Sequence, residues 1–149
     1  MMEMIELTVK DAVLQALEQA RGIRLSGGRL AEQLGVSRAA VHKAIAALRE
    51  SGLAIDAVTG EGYRLALDDD SLTAAGIDAL LDTAVIGREI LVEPSLTSSN
   101  TTMKEQYLSR KHGFTLFAEE QTGGRGRLGR TFVSPADTGV YMTILLHPT

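Results

Sequence analysis

The chain has 149 residues, 44% of them apolar and 23% charged, with a net charge of −4 and no cysteine. That is enough for one sizeable core or for a small and a medium one, and it excludes a disordered polypeptide. The lack of thiols excludes a disulfide framework, a thiolate metal site and a cysteine nucleophile, and fits a reducing compartment.

The opening Met1-Met2-Glu3-Met4-Ile5-Glu6 lacks the basic start and apolar run of a signal peptide. No segment approaches the ~20 apolar residues of a membrane span, so the chain reads as cytoplasmic. Thr8 with Asp11 three residues on resembles a capping box, and Val13, Leu14 and Leu17 follow at helical spacing, which predicts a first helix over residues 8–20. Ser26 is placed to cap a second helix running to Leu34, with Leu30, Ala31 and Leu34 facing inward and Gly35 as its stop. Ser37 is a good N-cap for a third, whose Ala40, Val41, Ala44, Ile45 and Leu48 form an apolar face and which ends near Gly52.

On that third helix Arg38, Ala39, His42, Lys43 and Arg49 lie away from the apolar face, and the first three sit near the end that enters a DNA major groove. Residues 53–58 and 63–67 then read as short strands joined by a Thr59-Gly60-Glu61-Gly62 turn. Three helices followed by a hairpin make a winged helix-turn-helix over residues 1–67. Lys43 and Arg49 are the expected phosphate contacts, and Arg38 or His42 could read base edges. The competing reading is three amphipathic helices whose basic residues are merely solvated.

Charge distribution favours the DNA-binding reading despite the acidic total. From Arg21 to Arg49 six Lys and Arg face Glu32 alone, a local charge of +5; Glu50 to Gln106 carries −8 and Tyr107 to Thr131 carries +3. Two basic patches are therefore separated by an acidic middle. Asp68-Asp69-Asp70-Ser71 is expected to be a solvated linker, residues 68–71, between the first domain and a second at 72–149.

In the second segment Thr73 can cap a helix carrying Ile77, Leu80 and Leu81, and residues 89–93 read as a strand ending at Pro94. A hydroxyl-rich run, Ser95-Leu96-Thr97-Ser98-Ser99-Asn100-Thr101-Thr102, leads into a helix with Met103 and Leu108. These hydroxyls have two readings, helix caps or ligand contacts. Residues 114–118 and 140–146 read as two further strands.

Between those strands lies the most informative stretch, residues 123–130, GGRGRLGR, with four glycines and three arginines. Glycine lets a backbone bend closely round a ligand, and arginine forks grip phosphate and carboxylate oxygens, so an anionic ligand is expected. Gly124 to Gly129 also matches the dinucleotide pattern GxGxxG. The context excludes it: Arg130-Thr131-Phe132-Val133-Ser134-Pro135 cannot open a helix, and no acidic residue follows about twenty positions on. No lysine follows these glycines as a P-loop requires, and a single copy between strands is unlike a repetitive RNA-binding arginine-glycine tract.

Taken in order, Ser37-Arg38-Ala39-Ala40-Val41, Ser98-Ser99-Asn100, Glu119-Glu120-Gln121 and GRGRLGR resemble the N-terminal half of the bifunctional biotin–protein ligase and biotin operon repressor family. The resemblance implies an α+β chain: a winged helix-turn-helix followed by a truncated α/β catalytic domain of the class II synthetase-like type. It implies a ligase that makes biotinyl-5′-AMP from biotin and ATP, with Mg²⁺, and passes biotin to a lysine of a carboxylase's biotin carboxyl carrier domain. The same adenylate would act as corepressor, promoting a homodimer that binds operator DNA. The alternative is a transcription regulator that senses a small anion without ligase activity.

By the same resemblance Ser98, Ser99 and Asn100 line the biotin pocket, with Ser99 or Asn100 bonding the ureido ring, and Gln121 borders the reacting carboxylate. Gly124, Arg125, Gly126 and Arg127 form the loop that holds the carboxylate and the α-phosphate, with Arg125 and Arg127 the catalytic pair. Phe132 covers the adenylate where the family often has tryptophan. No metal ligands are implied. The chain departs from the family in length: only 78 residues follow Ser71, and no lysine follows Gly129, whereas the family places an active-site lysine further along. The chain is therefore expected to be a fragment of such a ligase.

Overall fold

The computed structural model describes residues 8–148, so the N-terminal Met1 to Glu6 stretch and the terminal Thr149 lie outside the described residues. The chain divides into two compact units between Ser71 and Leu72. The fold class is α+β, with helices and strands in both units.

In the first unit, α1 (Val9–Gln19), α2 (Gly27–Leu34) and α3 (Arg38–Glu50) precede a two-stranded antiparallel hairpin, β1 (Ile55–Val58) and β2 (Gly62–Leu65). α1 begins with a complete capping box between Thr8 and Asp11. Ser37 likewise caps α3 by accepting the Ala40 N–H at 3.1 Å, and Gly35 ends α2 in the left-handed conformation that only glycine adopts without cost. Val13, Leu17, Leu30, Val41, Ile45 and Leu48 close against one another with at most 3% exposure. At about 1.5–3 kcal/mol per large apolar side chain, this burial is the main force holding the three helices together. Ser26 precedes α2 as expected but makes no side-chain capping bond.

The hairpin differs from its sequence reading in one respect. Val58 pairs with Gly62, so the loop is the three residues Thr59, Gly60 and Glu61, and Gly62 belongs to β2. Its glycine is required by a close approach as well as by its φ of +113°: a Cβ there would lie 2.1 Å from the Leu25 carbonyl oxygen. Leu25 forms a bridge along β2, exchanging backbone hydrogen bonds with Tyr63 at 2.7 and 2.8 Å, which ties the wing to the segment entering α2.

Asp68 and Asp70 of the acidic run are exposed as its composition predicts, but Asp69 between them is not free. Asp69 accepts the Ala54 N–H at 2.6 Å and the Ser71 N–H at 3.0 Å, while Arg21 donates to the Asp69 carbonyl at 2.6 Å. Arg21 also pairs with the buried Glu18 at 2.7 Å, so the run is fastened to α1 and to the start of the wing.

The second unit has α4 (Ala74–Leu80), β3 (Ile90–Glu93), α5 (Ser99–Gln106), β4 (Thr115–Ala118), a 3₁₀ turn at Arg127–Gly129 and β5 (Tyr141–Ile144). The sheet order is β3-β4-β5, with β3 and β4 parallel and β4 and β5 antiparallel. α5 is the crossover that parallel neighbours require. The central β4 is buried along its whole length, as its unbroken run of Thr115, Leu116, Phe117 and Ala118 suggests. Met103 from α5 packs with Phe114, Leu116, Leu145, Leu91 and Leu96 to form the core. Leu108 lies beyond the end of α5 and is 83% exposed, and Leu80 on α4 is 89% exposed, so neither anchors its helix.

Candidate functional site

The two candidate surfaces lie in different units. In the first, the alternation of α3 leaves Arg38, Ala39, His42, Lys43 and Arg49 exposed while Val41, Ala44, Ile45 and Leu48 are buried. Among the described residues no acidic side chain pairs with Arg38, Lys43 or Arg49. The Arg38 guanidinium does not point freely outward; it lies over α2, where a Cβ on Gly28 would meet its Nη2 at 3.1 Å. The cations on and beside the wing are differently engaged. Arg24 pairs with Asp56 at 2.6 Å and Glu61 at 3.4 Å, and Arg64 reaches the same Asp56 carboxylate at 3.3 Å. The Arg24 hydrogen bond holds the Asp56 carboxyl below its ordinary value, with Arg64 adding to the effect. Arg24, Ser26, Arg29, Gln33 and Glu61 line a cavity between α2 and the wing, and Arg29 is a cation that motif reasoning did not single out.

In the second unit the chain continues beyond the formal strands as paired backbone. Leu96 and Thr97 run parallel to residues 120–123, with the Leu96 N–H donating to Glu120, Thr122 to Leu96 and Gly123 to Thr97. Gln121 is bridged on its other side to Ser134, its N–H donating to the Ser134 carbonyl at 2.9 Å. This fixes the Gln121 side chain at the start of α5. Its Oε1 accepts the Ser99 N–H at 2.8 Å and the Ser99 hydroxyl at 3.1 Å, and its Nε2 donates to Ser134 Oγ at 3.2 Å. From β5 the Thr143 hydroxyl sits 2.8 Å from Ser99 Oγ and 3.1 Å from Asn100 Oδ1.

The hydroxyl-rich run therefore does not simply cap a helix. Ser98 occupies the N-cap position of α5 yet makes no side-chain capping bond, although it is only 3% exposed. Gln121, distant in sequence, takes the Ser99 N–H of the first turn instead. The first turn of α5 is thus capped from across the sheet by Gln121 and not by its own N-cap hydroxyl.

The arginine-glycine stretch is a small hairpin. Phe132 N–H donates to the Gly124 carbonyl at 2.9 Å and Gly126 N–H to the Arg130 carbonyl at 2.7 Å, with Arg125 bridged to Thr131. Leu128 and Gly129, both at positive φ, form the tip. Gly124 is buried at its base, where a Cβ would lie 2.4 Å from the Phe132 carbonyl and 3.1 Å from Ser134 Oγ. The hairpin thus stands directly on the Gln121–Ser134 pair. Arg125, Arg127 and Arg130 are exposed with no acidic partner among the described residues, and Phe132 is 55% exposed. Among the described residues no cluster of three His, Asp or Glu side chains is arranged to hold a metal ion.

Of the residues marked by sequence, Ser99, Asn100, Gln121 and Gly124 meet in one polar cluster, Ser98 lies beside it, and Arg125, Arg127 and Phe132 project from the adjoining hairpin. Ser134 and Thr143 were missed. Thr143 carried a signal: it shares strand parity with the core residue Leu145, so a hydroxyl on the inward face of β5 needed a partner.

Residues 10–64 match the family described as HTH domain, and residues 92–149 match the Biotin/lipoate A/B protein ligase family. Over 142 residues the chain is 33% identical to the Bifunctional ligase/repressor BirA of Bacillus subtilis, covering 95% of this chain and 44% of that protein. It is 37% identical over 125 residues to the Escherichia coli protein of the same name, covering 84% of this chain and 38% of that one. The chain is thus a homologue of the bifunctional ligase/repressor proteins over most of its own length.

It spans less than half the length of these relatives. The HTH match takes in the three helices and most of the wing, while the ligase-family match begins in β3 and includes the whole polar cluster and hairpin. No helix among the described residues is long and apolar enough to cross a membrane.

Proposed function

We propose that the second unit contributes the biotin-binding and adenylate-forming part of a biotin–protein ligase, and that the first unit binds operator DNA. The observation that carries the ligase reading is the seating of the arginine hairpin on the Ser99–Gln121–Ser134 cluster. That arrangement joins a loop of three exposed arginines, with no acidic partner among the described residues, to a neutral hydrogen-bonded cluster. Biotin has the matching polarity, a ureido ring at one end and a carboxylate at the other.

In this reading Ser98, Ser99 and Asn100 receive the ureido ring and Gln121 borders the carboxylate. Gly124, Arg125, Gly126 and Arg127 hold the carboxylate and the α-phosphate of ATP, and Phe132 covers the product. The carboxylate oxygen attacks the α-phosphorus and pyrophosphate leaves, giving biotinyl-5′-AMP. Two anions must meet, and charge builds on the α-phosphoryl oxygens, so Arg125 and Arg127 act by neutralising that charge where water is excluded. Mg²⁺ enters with the ATP phosphates. The neutral amine of a lysine on a biotin carboxyl carrier domain then attacks the acyl carbon of the adenylate, forming the amide as AMP leaves and the amine gives up a proton, or the adenylate serves as corepressor while a dimer holds DNA through α3 and the wing.

Calorimetric titration with biotinyl-adenylate tests the reading directly, for this chain and for a ligase completed with the downstream residues its relatives possess. Binding by the completed protein, with biotin-dependent ATP–pyrophosphate exchange, supports it. Binding without exchange supports a regulator that only senses the ligand. Failure to bind rejects both.

A further inference from the structure

We infer that Thr143 is a positioning residue of this site: its hydroxyl bridges Ser99 Oγ and Asn100 Oδ1 and so holds these two acceptor oxygens side by side for a ligand carrying N–H donors. This deepens the biotin reading and rests on it for the identity of the ligand.

The argument is proton accounting across four side chains. Gln121 Oε1 can only accept, and it receives both the N–H and the hydroxyl of Ser99. The Ser99 proton is thereby committed, so toward every other neighbour Ser99 Oγ can only accept. Asn100 Oδ1 is likewise an acceptor. Thr143 Oγ1 lies within reach of both, at 2.8 and 3.1 Å, and has one proton to offer. At any moment one of the two oxygens is served by Thr143 and the other is left with an open lone pair.

The direction of the chain is anchored by the Ser99 backbone N–H, which can only donate and so holds the Gln121 oxygen toward it, while Gln121 Nε2 donates to the buried Ser134 Oγ. A reversed amide would place an N–H₂ group against the Ser99 N–H. The cluster therefore cannot turn its donors toward Asn100, and the side facing Thr143 is acceptor-rich. A cyclic urea or amide N–H satisfies it; a group that only accepts leaves two oxygens opposed.

Because Thr143 touches Ser99 and Asn100, its effect must pass through them. Valine preserves its shape without the proton, and serine preserves the proton without the methyl. Thr143→Val is expected to weaken biotin binding about tenfold, while Thr143→Ser stays within about twofold of the parent. A biotin analogue methylated at the ureido nitrogen should bind parent and valine variant alike. Equal biotin affinity of the valine variant and parent, or equal loss in both variants, overturns the inference.

A ligand-free readout keeps the two questions apart. In ¹⁵N-labelled chain the Gln121 side-chain amide and the Ser99 amide resonances should move in Thr143→Val and return in Thr143→Ser. If they do not move, Thr143 does not govern the cluster. If they move while the parent fails to bind biotin, the biotin reading falls and the positioning role stands.

Discussion

Gln121 Oε1 accepts two hydrogen bonds from Ser99, one from its backbone N–H at 2.8 Å and one from its hydroxyl at 3.1 Å, and so performs across 22 residues the capping task that Ser98 leaves undone. Gln121→Ala should therefore open the first turn of α5. The expected cost is about 1–3 kcal/mol in the second unit, the penalty for a part-buried donor left unsatisfied. Amide exchange at Ser99 should accelerate about 5-fold or more, and exchange in α3 should stay unchanged. Unaltered Ser99 protection would show that water replaces Gln121 without loss.

At the base of the arginine hairpin a side chain is excluded by backbone. Gly124→Ala places a methyl group 2.4 Å from the Phe132 carbonyl, so the hairpin must shift from the cluster. Biotinyl-adenylate binding by the completed ligase should fall, and the second unit should lose about 1–3 kcal/mol because the atom met is backbone. Arg125→Ala, which touches no acidic partner among the described residues, should leave stability within ~0.5 kcal/mol while slowing adenylate synthesis. Unchanged synthesis would remove the hairpin from the chemistry.

In the wing, two glycines should differ sharply. Gly62→Ala meets the Leu25 carbonyl at 2.1 Å and carries a φ of +113°, and should cost more than about 2 kcal/mol. Gly60→Ala, at φ +84° with open space around it, should cost about 1–2 kcal/mol from conformation alone. Urea unfolding of the two variants gives the comparison, and equal costs would mean that the Leu25 approach relaxes freely.

Acid should weaken the first unit through Asp69. Burial opposes its ionisation, but the N–H groups of Ala54 and Ser71, the Ser71 hydroxyl and the nearby Arg21 outweigh that and hold its carboxyl below the ordinary 3.8. A lowered folded-state pKa means that the folded chain binds fewer protons than the unfolded one. Its stabilisation is full above the unfolded value and is lost as pH falls through the folded value, below about pH 4. Asp69→Asn should lower stability at neutral pH and flatten the acid limb of a urea-unfolding series. An unchanged acid limb would exclude Asp69 from it.

Lys43 is exposed on α3 with no acidic partner among the described residues. Lys43→Ala should reduce DNA affinity similarly across sequences and lower the slope of log K against log salt by about 1. A loss confined to one base position would assign Lys43 to base readout instead.

Local chemistry made much of this protein legible in sequence. Thr8 and Ser37 announced their helices because capping is a contact between near neighbours, and the apolar period of α3 predicted which of its residues are exposed. The hairpin boundaries and the role of Gly62 were not legible, because its close neighbour, Leu25, is 37 residues away. The anchoring of Asp69 within the acidic run was not legible for the same reason: charge alone suggests solvation, and only the folded chain brings Ala54 and Arg21 to it.

By itself the sequence determined that a basic helix-turn-helix precedes a segment with Ser98-Ser99-Asn100, Gln121 and an arginine-glycine motif, since these patterns are short-range and specific. Only the tertiary structure decided that Ser99, Gln121, Ser134 and Thr143 share one hydrogen-bonded chain and that the arginines stand on its edge. Strand register joins residues by position across the sheet, and a hydroxyl's partner depends on what lies opposite it, which no spacing along the chain reveals.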